Sequence, residues 1–299
     1  MMRHAPLCAL SVLLLMGPRL AVAGRSPAPV AIIYRLAGTA SRIDPGRPRR
    51  PVGLFDRLPA GVVLETEPGA RLELAFGTGL RWALGSGSRA ALGPAGLATR
   101  SGDVRQLLPV PPLPLLGPIR KEDHPGRHPG AVRIRGERIT GLYPGRGAAA
   151  IASAVVLRFL PVGGTERYQV ELRDEQGTVI FSATTSETAM SVQADFVRPG
   201  TRYHWTVRTV ERAGPVALGE ADFMTLPSRI AEERETLRKA IEAAGDSAAL
   251  ALLAEVDREL GLVMEAQDEL RAAVRALPGD AQLAAKLAEL ERLSYFQSP

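Results

Sequence analysis

Between residues 30 and 107, apolar and polar positions alternate with a period of two. Leu72, Leu74 and Phe76 alternate with Arg71 and Glu73, and after Gly77-Thr78-Gly79 the series resumes as Leu80, Trp82 and Leu84 against Arg81 and Ala83. That alternation predicts strands with one buried face, and the intervening glycines predict a hairpin turn. Gly85-Ser86-Gly87-Ser88 and Gly93-Pro94-Ala95-Gly96 punctuate further short strands around Ala90–Leu92 and Leu97–Thr99. No helical period of useful length interrupts them. A small all-β domain is predicted.

Strands resume from about residue 131 to residue 227. Val155, Leu157 and Phe159 alternate, as do Tyr168, Val170 and Leu172 against Gln169 and Glu171. Asp174-Glu175-Gln176-Gly177 predicts a turn into Val179–Phe181, and Val197-Arg198-Pro199-Gly200-Thr201-Arg202-Tyr203 leads into Trp205 and Val207. Between the two β regions, residues 108–130 are rich in Pro and Gly. Pro109-Val110-Pro111-Pro112-Leu113-Pro114 predicts a stiff polyproline spacer, favoured over a partner-binding P-x-x-P motif.

After Pro227 the period changes to that of helices. Ile230, Leu237 and Ile241 recur at helical spacing, and Gly245-Asp246 stops one helix and caps the next. The fold class expected is mainly β with an α-helical C-terminus over residues 228–293.

Three stretches resemble known families. Leu58-Pro59-Ala60-Gly61-Val62-Val63-Leu64-Glu65-Thr66, then Gly69 to Phe76 and Gly102-Asp103-Val104, resemble the FecR domain over residues 30–107. FecR sensors join an intracellular segment, a membrane span and a periplasmic domain; no second span is found here, so their anti-sigma mechanism is not implied. Val197 to Tyr203 resembles the segment that opens a core strand in fibronectin type III domains. That resemblance implies a β-sandwich over residues 131–227 in which Tyr203 forms a tyrosine corner. Phe159 and Val197 stand where the family usually has Trp and Leu. Leu250, Leu253, Ala254, Gly261, Ala266, Leu270, Ala273 and Pro278 are similar in spacing to a tetratricopeptide repeat, in which Gly261 and Ala266 would let paired helices approach. Asp257 occupies a position where that family prefers an aromatic.

A single such repeat cannot bury all its apolar positions. The tail is therefore expected to pack on the sandwich, on another copy or on a partner, and to be the interaction surface. Removing residues 228–299 is expected to leave a folded, soluble β-protein.

The chain has 299 residues, enough for two or three domains, and its 30 Gly and 24 Pro favour short strands and turns. Arg3, the apolar run Ala5–Gly17 and Ala21-Val22-Ala23 predict a signal peptide over residues 1–23, cleaved after Ala23. The run is too short to cross a bilayer, so no transmembrane anchor is expected and the destination is the periplasm or the exterior. Cys8, the single cysteine, lies inside that segment, which leaves the mature chain without a disulfide, thiol nucleophile or zinc-cysteine site.

Losing Arg3 and Arg19 from the 37 basic residues leaves 35 against 32 acidic ones, a net +3. From Ser228 onward 9 basic and 14 acidic residues give −5, so residues 24–227 carry +8. The arginines are dispersed through strands and only three lysines exist, which argues against nucleic acid as a partner.

Glu122-Asp123-His124 with His128 is the one group resembling a metal site, and its Pro and Gly neighbours favour a solvated loop. Tyr203 and Trp205 read as core residues rather than a sugar platform. With no nucleophile elbow, Walker loop or dinucleotide fingerprint, no catalytic, cofactor or metal residues are assigned. The function expected is a non-catalytic, exported protein-interaction adaptor of the bacterial envelope, self-associating or binding a partner through its helical tail. The alternative is a module binding cell-wall or secreted polysaccharide.

Overall fold

A computed structural model describes residues 28–113, 138–210 and 216–296. The predicted signal peptide, the end of the spacer, and Glu122, Asp123, His124 and His128 lie outside the described residues.

The first unit has ten strands: β1 (Pro29–Ala37), β2 (Ala40–Ile43), β3 (Arg50–Pro51), β4 (Arg57–Pro59), β5 (Val63–Thr66), β6 (Arg71–Phe76), β7 (Arg81–Leu84), β8 (Arg89–Leu92), β9 (Leu97–Ser101) and β10 (Val104–Leu107). They form two five-stranded sheets, ordered β10-β7-β6-β1-β4 and β3-β2-β5-β8-β9. The β6–β7 hairpin forms at the predicted turn, with Leu72 opposite Leu84 and Leu74 opposite Trp82. Ile33, Leu36, Leu58, Leu64, Leu72, Leu74, Phe76 and Leu84 fill the space between the sheets.

The central strands depart from the half-buried reading. On β1 and β6 the opposite face is buried too, through Ile32, Tyr34 and Ala75. Glu73 and Arg81, expected on a solvated face, are each only 2% exposed. Glu73 is paired there with Arg35 at 3.0 Å and Arg71 at 2.7 Å. The cover over this face is the C-terminal tail.

The beginning of the predicted spacer belongs to that same packed layer. Val110 and Leu113 are buried among Tyr34, Leu237 and Ile241, and their backbone N–H groups donate to the carbonyls of Gly79 (3.0 Å) and Gly77 (2.9 Å). Gly79 has φ +86°, and a Cβ there would lie 2.0 Å from the Val110 carbonyl oxygen. Only glycine lets the chain cross the hairpin turn this closely. Residues up to Leu113 are thus held down by apolar burial, not extended as a free spacer.

The second unit contains β11 (Ala148–Ala150), β12 (Val156–Arg158), β13 (Arg167–Arg173), β14 (Val179–Thr185), β15 (Ala189–Ser191), β16 (Arg202–Val210) and β17 (Leu218–Thr225). One sheet runs β11-β17-β16-β13-β14 and the other is the pair β12-β15. Leu157, Phe159, Tyr168, Val170, Leu172, Val197, Tyr203, Trp205, Val207 and Phe223 make its core. Phe159, in the position the resemblance gives to Trp, meets the Tyr168 ring edge-on at 4.7 Å. Trp205 is fully buried, and its indole N–H donates to the Pro144 carbonyl at 2.9 Å. Trp205 and Tyr203 are therefore packing residues, as expected.

The tyrosine corner is present. The Tyr203 hydroxyl accepts the backbone N–H of Arg198 at 2.7 Å, and the ring packs on Phe223 at 5.6 Å. Tyr203→Phe keeps the ring and strands that N–H, so denaturant unfolding of the full chain should report a loss of about 0.5–1.5 kcal/mol. An unchanged unfolding midpoint would mean that water replaces the hydroxyl at no cost.

Four helices follow: α1 (Ser228–Ala244), α2 (Ala249–Leu260), α3 (Val263–Ala276) and α4 (Ala281–Phe296). Gly245, at φ +62°, ends α1, and the Asp246 carboxylate accepts the N–H groups of Ala248 and Ala249 at the start of α2. This is the stop-and-cap read from Gly245-Asp246.

Candidate interaction site

The tail touches both β units, and each contact has an identifiable chemical basis. Leu237, Ile241, Leu252, Leu253 and Val256 from α1 and α2 cover Ile32, Tyr34 and Ala75 of the first unit. At the edge of this layer Arg81 donates to Asp246 at 2.6 Å and to the Leu108 carbonyl at 2.7 Å, with its guanidinium 5.9 Å above the Tyr34 ring. Burial raises the Tyr34 hydroxyl well above the usual tyrosine range, so the ring stays neutral beneath the cation. A second ion pair joins Arg57 to Glu259 at 2.9 Å.

On the other side, the turn between α2 and α3 lies against the edge of the sandwich. The N–H of Ala149 donates to the Gly261 carbonyl at 3.0 Å, and Leu262 is buried with Ala149 and Leu226. A Cβ on Gly261, whose φ is +81°, would come within 3.2 Å of the Ala149 nitrogen. The close approach that Gly261 permits is thus helix turn to strand, and not helix to helix as its spacing implied.

Between these contacts sits a buried ionic cluster. Arg234 of α1 donates two parallel bonds to Asp257 of α2, at 2.9 and 2.7 Å, and both side chains are nearly or fully buried. Glu269 of α3 lies 4.0 Å from the same guanidinium, and Glu265 accepts the Tyr143 hydroxyl at 2.8 Å. Burial pushes the Asp257 and Glu269 carboxyls above the usual range, and Arg234 pulls both back. Burial also works against charge on Arg234, but its carboxylate neighbours outweigh that and hold it cationic. Asp257, read from sequence as a departure from a repeat pattern, is the anchor that joins α1 to α2.

An open cleft remains where the first unit meets α2, α3 and α4. It encloses about 350 Å³ above an apolar floor of Leu54, Phe55, Ala254, Leu270 and Leu290. Its rim carries Glu255 paired with Arg258 at 2.7 Å and Lys286 paired with Glu289 at 2.8 Å. Phe55 is the one non-glycine among the described residues with a positive φ, at 68°. The turn holding it is tied by its N–H to the Ile33 carbonyl at 2.7 Å and by the Asp56 carboxylate accepting the Gly53 N–H at 2.9 Å. A bulky residue kept in the left-handed region needs such over-determination, and strain of this kind concentrates at clefts. The sequence reading did not single out Phe55 or this cleft; no local pattern marks a site assembled from residues 54–56 and 254–290. Among the described residues, no group of three or more His, Cys, Asp and Glu is placed to hold a metal ion.

No known protein-family profile matches the chain, and no curated protein matches it either. Solved structures do show partial similarity. CopC from Methylosinus trichosporium OB3b is 18% identical, over 30% of this chain and 94% of that one, with a TM-score of 0.25. An FN3tt mutant is 17% identical over 29% of this chain and 93% of its own, with a TM-score of 0.24. A segment of two fibronectin type III domains from chicken tenascin is 9% identical, over 67% of this chain and 95% of that one, with a TM-score of 0.22. The fibronectin type III-like character of the second unit rests on its own features: the Tyr203 corner and the two-sheet strand order.

Proposed function

We propose that this chain is a non-catalytic, exported interaction adaptor of the bacterial envelope, organised as residues 30–107, 131–227 and 228–293, with residues 1–23 as its export signal. The observation that carries this reading is the cleft between Phe55 and helices α2–α4. It offers an apolar floor deep enough for one or two side chains of a partner, inside a rim of charged pairs. The buried charges of the tail serve structural pairing, Arg234 with Asp257, and its Asp246 holds Arg81 of the first unit. No described helix is long and apolar enough to cross a membrane.

The expected occupant is an apolar segment of another envelope protein. Ala254 lines the floor, so Ala254→Leu fills the cleft with apolar volume while keeping the helix. Recovery of partners from the envelope fraction should fall at least about tenfold for this variant, a hot-spot-sized effect, with the melting curve as a check on folding. Equal recovery by a folded variant rejects the cleft and leaves polysaccharide binding by the β units as the better reading.

A further inference from the structure

Granting the cleft above as a docking site, we infer that it takes a basic apolar peptide segment: one apolar side chain fills the floor and a neighbouring Lys or Arg is held by Asp56. All the residues lining the cleft are described ones. Those outside the apolar floor are charged, and the way they are paired decides which sign of partner the cleft suits.

Both cations of the lining are committed to carboxylates. Arg258 donates two bonds to Glu255, at 2.7 and 2.8 Å, and a further one to Glu259. Lys286 is held by Glu289. An anionic partner would have to break one of these pairs to gain a cation. Asp56 is in the opposite condition. Its Oδ2 accepts the Gly53 N–H at 2.9 Å, and no Lys or Arg pairs with its carboxylate among the described residues. Its neighbour Arg57 is paired across the interface with Glu259. The lining therefore holds three carboxylates against two cations, and the surplus charge sits at Asp56, which is partly exposed.

The wall that carries Asp56 suits a cation in two further ways. Phe55 lines the cleft beside it, and an aromatic ring attracts an ammonium or guanidinium group through its quadrupole. The turn is also fixed before any partner arrives. The Phe55 N–H donates to the Ile33 carbonyl, the Ile33 N–H to the Asp56 carbonyl at 3.1 Å, and the Asp56 N–H to the Gly53 carbonyl at 3.2 Å. Little ordering cost is then left for binding. At longer range the −5 charge of residues 228–299 draws a basic segment and repels an acidic one.

Two probes test the inference on the full chain, acetyl-Gly-Leu-Lys-Gly-amide and acetyl-Gly-Leu-Glu-Gly-amide, titrated with protein-detected NMR. The Lys peptide should bind with a Kd of about 0.1–10 mM, as one buried side chain and one exposed ion pair allow. It should bind at least about fivefold tighter than the Glu peptide, and the difference should narrow as salt rises from about 50 to 500 mM. Asp56→Asn keeps an acceptor for the Gly53 N–H and removes the charge, so the two peptides should come within about twofold of each other. Ala254→Leu should weaken both. Equal affinities for the parent, or no binding of the Lys peptide below about 10 mM, overturn the basic-segment inference and leave the cleft to the envelope recovery. A Lys preference that survives Asp56→Asn in a chain melting like the parent overturns it too. Should Asp56→Asn melt lower, the parent's salt series decides, and a preference unmoved by salt overturns the inference. Binding that Ala254→Leu fails to weaken lies outside the cleft and removes the docking reading as well.

Discussion

A chain carrying Asp257→Ala unfolds at lower denaturant than the parent, with a loss of about 3–5 kcal/mol. The size follows from what is left behind: Arg234 keeps its charge in a site that is 6% exposed, with its two strongest bonds removed. Glu269, 4.0 Å away, is too distant to replace a bidentate partner. The double variant Arg234→Met with Asp257→Leu removes both charges together and should recover most of the loss, because a buried pair exchanged for apolar volume is often neutral. A double variant as unstable as Asp257→Ala would show that the pair holds α1 and α2 by its bonds and not by avoiding an orphaned charge.

The same cluster sets a pH dependence through Glu269. Burial and the charge of Asp257 raise its pKa in the folded chain above the ordinary 4.5. The folded state therefore takes up this proton first, and ionisation of Glu269 opposes folding at neutral pH. That cost is fully present above the raised folded pKa and disappears as pH falls below the unfolded value. Glu269→Gln should thus stabilise the chain at neutral pH, with the gain shrinking to nothing below about pH 4. A gain that grows on acidification would reverse the sign assigned here.

Deleting residues 228–299 is the other large effect, and it should disrupt the first unit more than the sandwich. The deletion uncovers Ile32, Tyr34, Ala75, Val110 and Leu113 and leaves the nearly buried Arg81 without Asp246. Five apolar side chains returned to water cost roughly 1–3 kcal/mol each, comparable with the whole stability of a domain. The truncated chain should aggregate or bind hydrophobic dyes, with weakened near-ultraviolet dichroism. A soluble truncated chain with native spectra would show that the first unit stands alone, as its strand pattern implied.

Much of the fold is legible in the sequence because local patterns suffice for it. The β6–β7 hairpin is written in alternation and glycines, the α1–α2 junction in Gly245-Asp246, and the corner in the run to Tyr203. What escapes is whatever depends on a second layer. The strand pattern of Arg81 and Glu73 is the same whether water or a helix lies over them. Arg234 shares a helical stripe with Ile230, Leu237 and Ile241, and that placement was the available sign that a partner such as Asp257 would be buried with it. The tail's apolar positions look surplus in the sequence because a lone repeat cannot bury them. The first β unit, some 200 residues earlier in the chain, supplies the missing surface. The cleft is harder still, since it exists only where four separate segments converge.

The ion pair between Arg81 and Asp246 spans 165 positions of the chain. At a synthesis rate of roughly 5–20 residues per second, the partner of Arg81 leaves the ribosome about 8–30 s after Arg81 itself. Until then the first sheet has its inner core but an uncovered outer face, with an arginine awaiting its carboxylate. The first unit to be made is thus the last to be completed, and the chain spends that interval dependent on whatever shields exposed apolar surface in the cell.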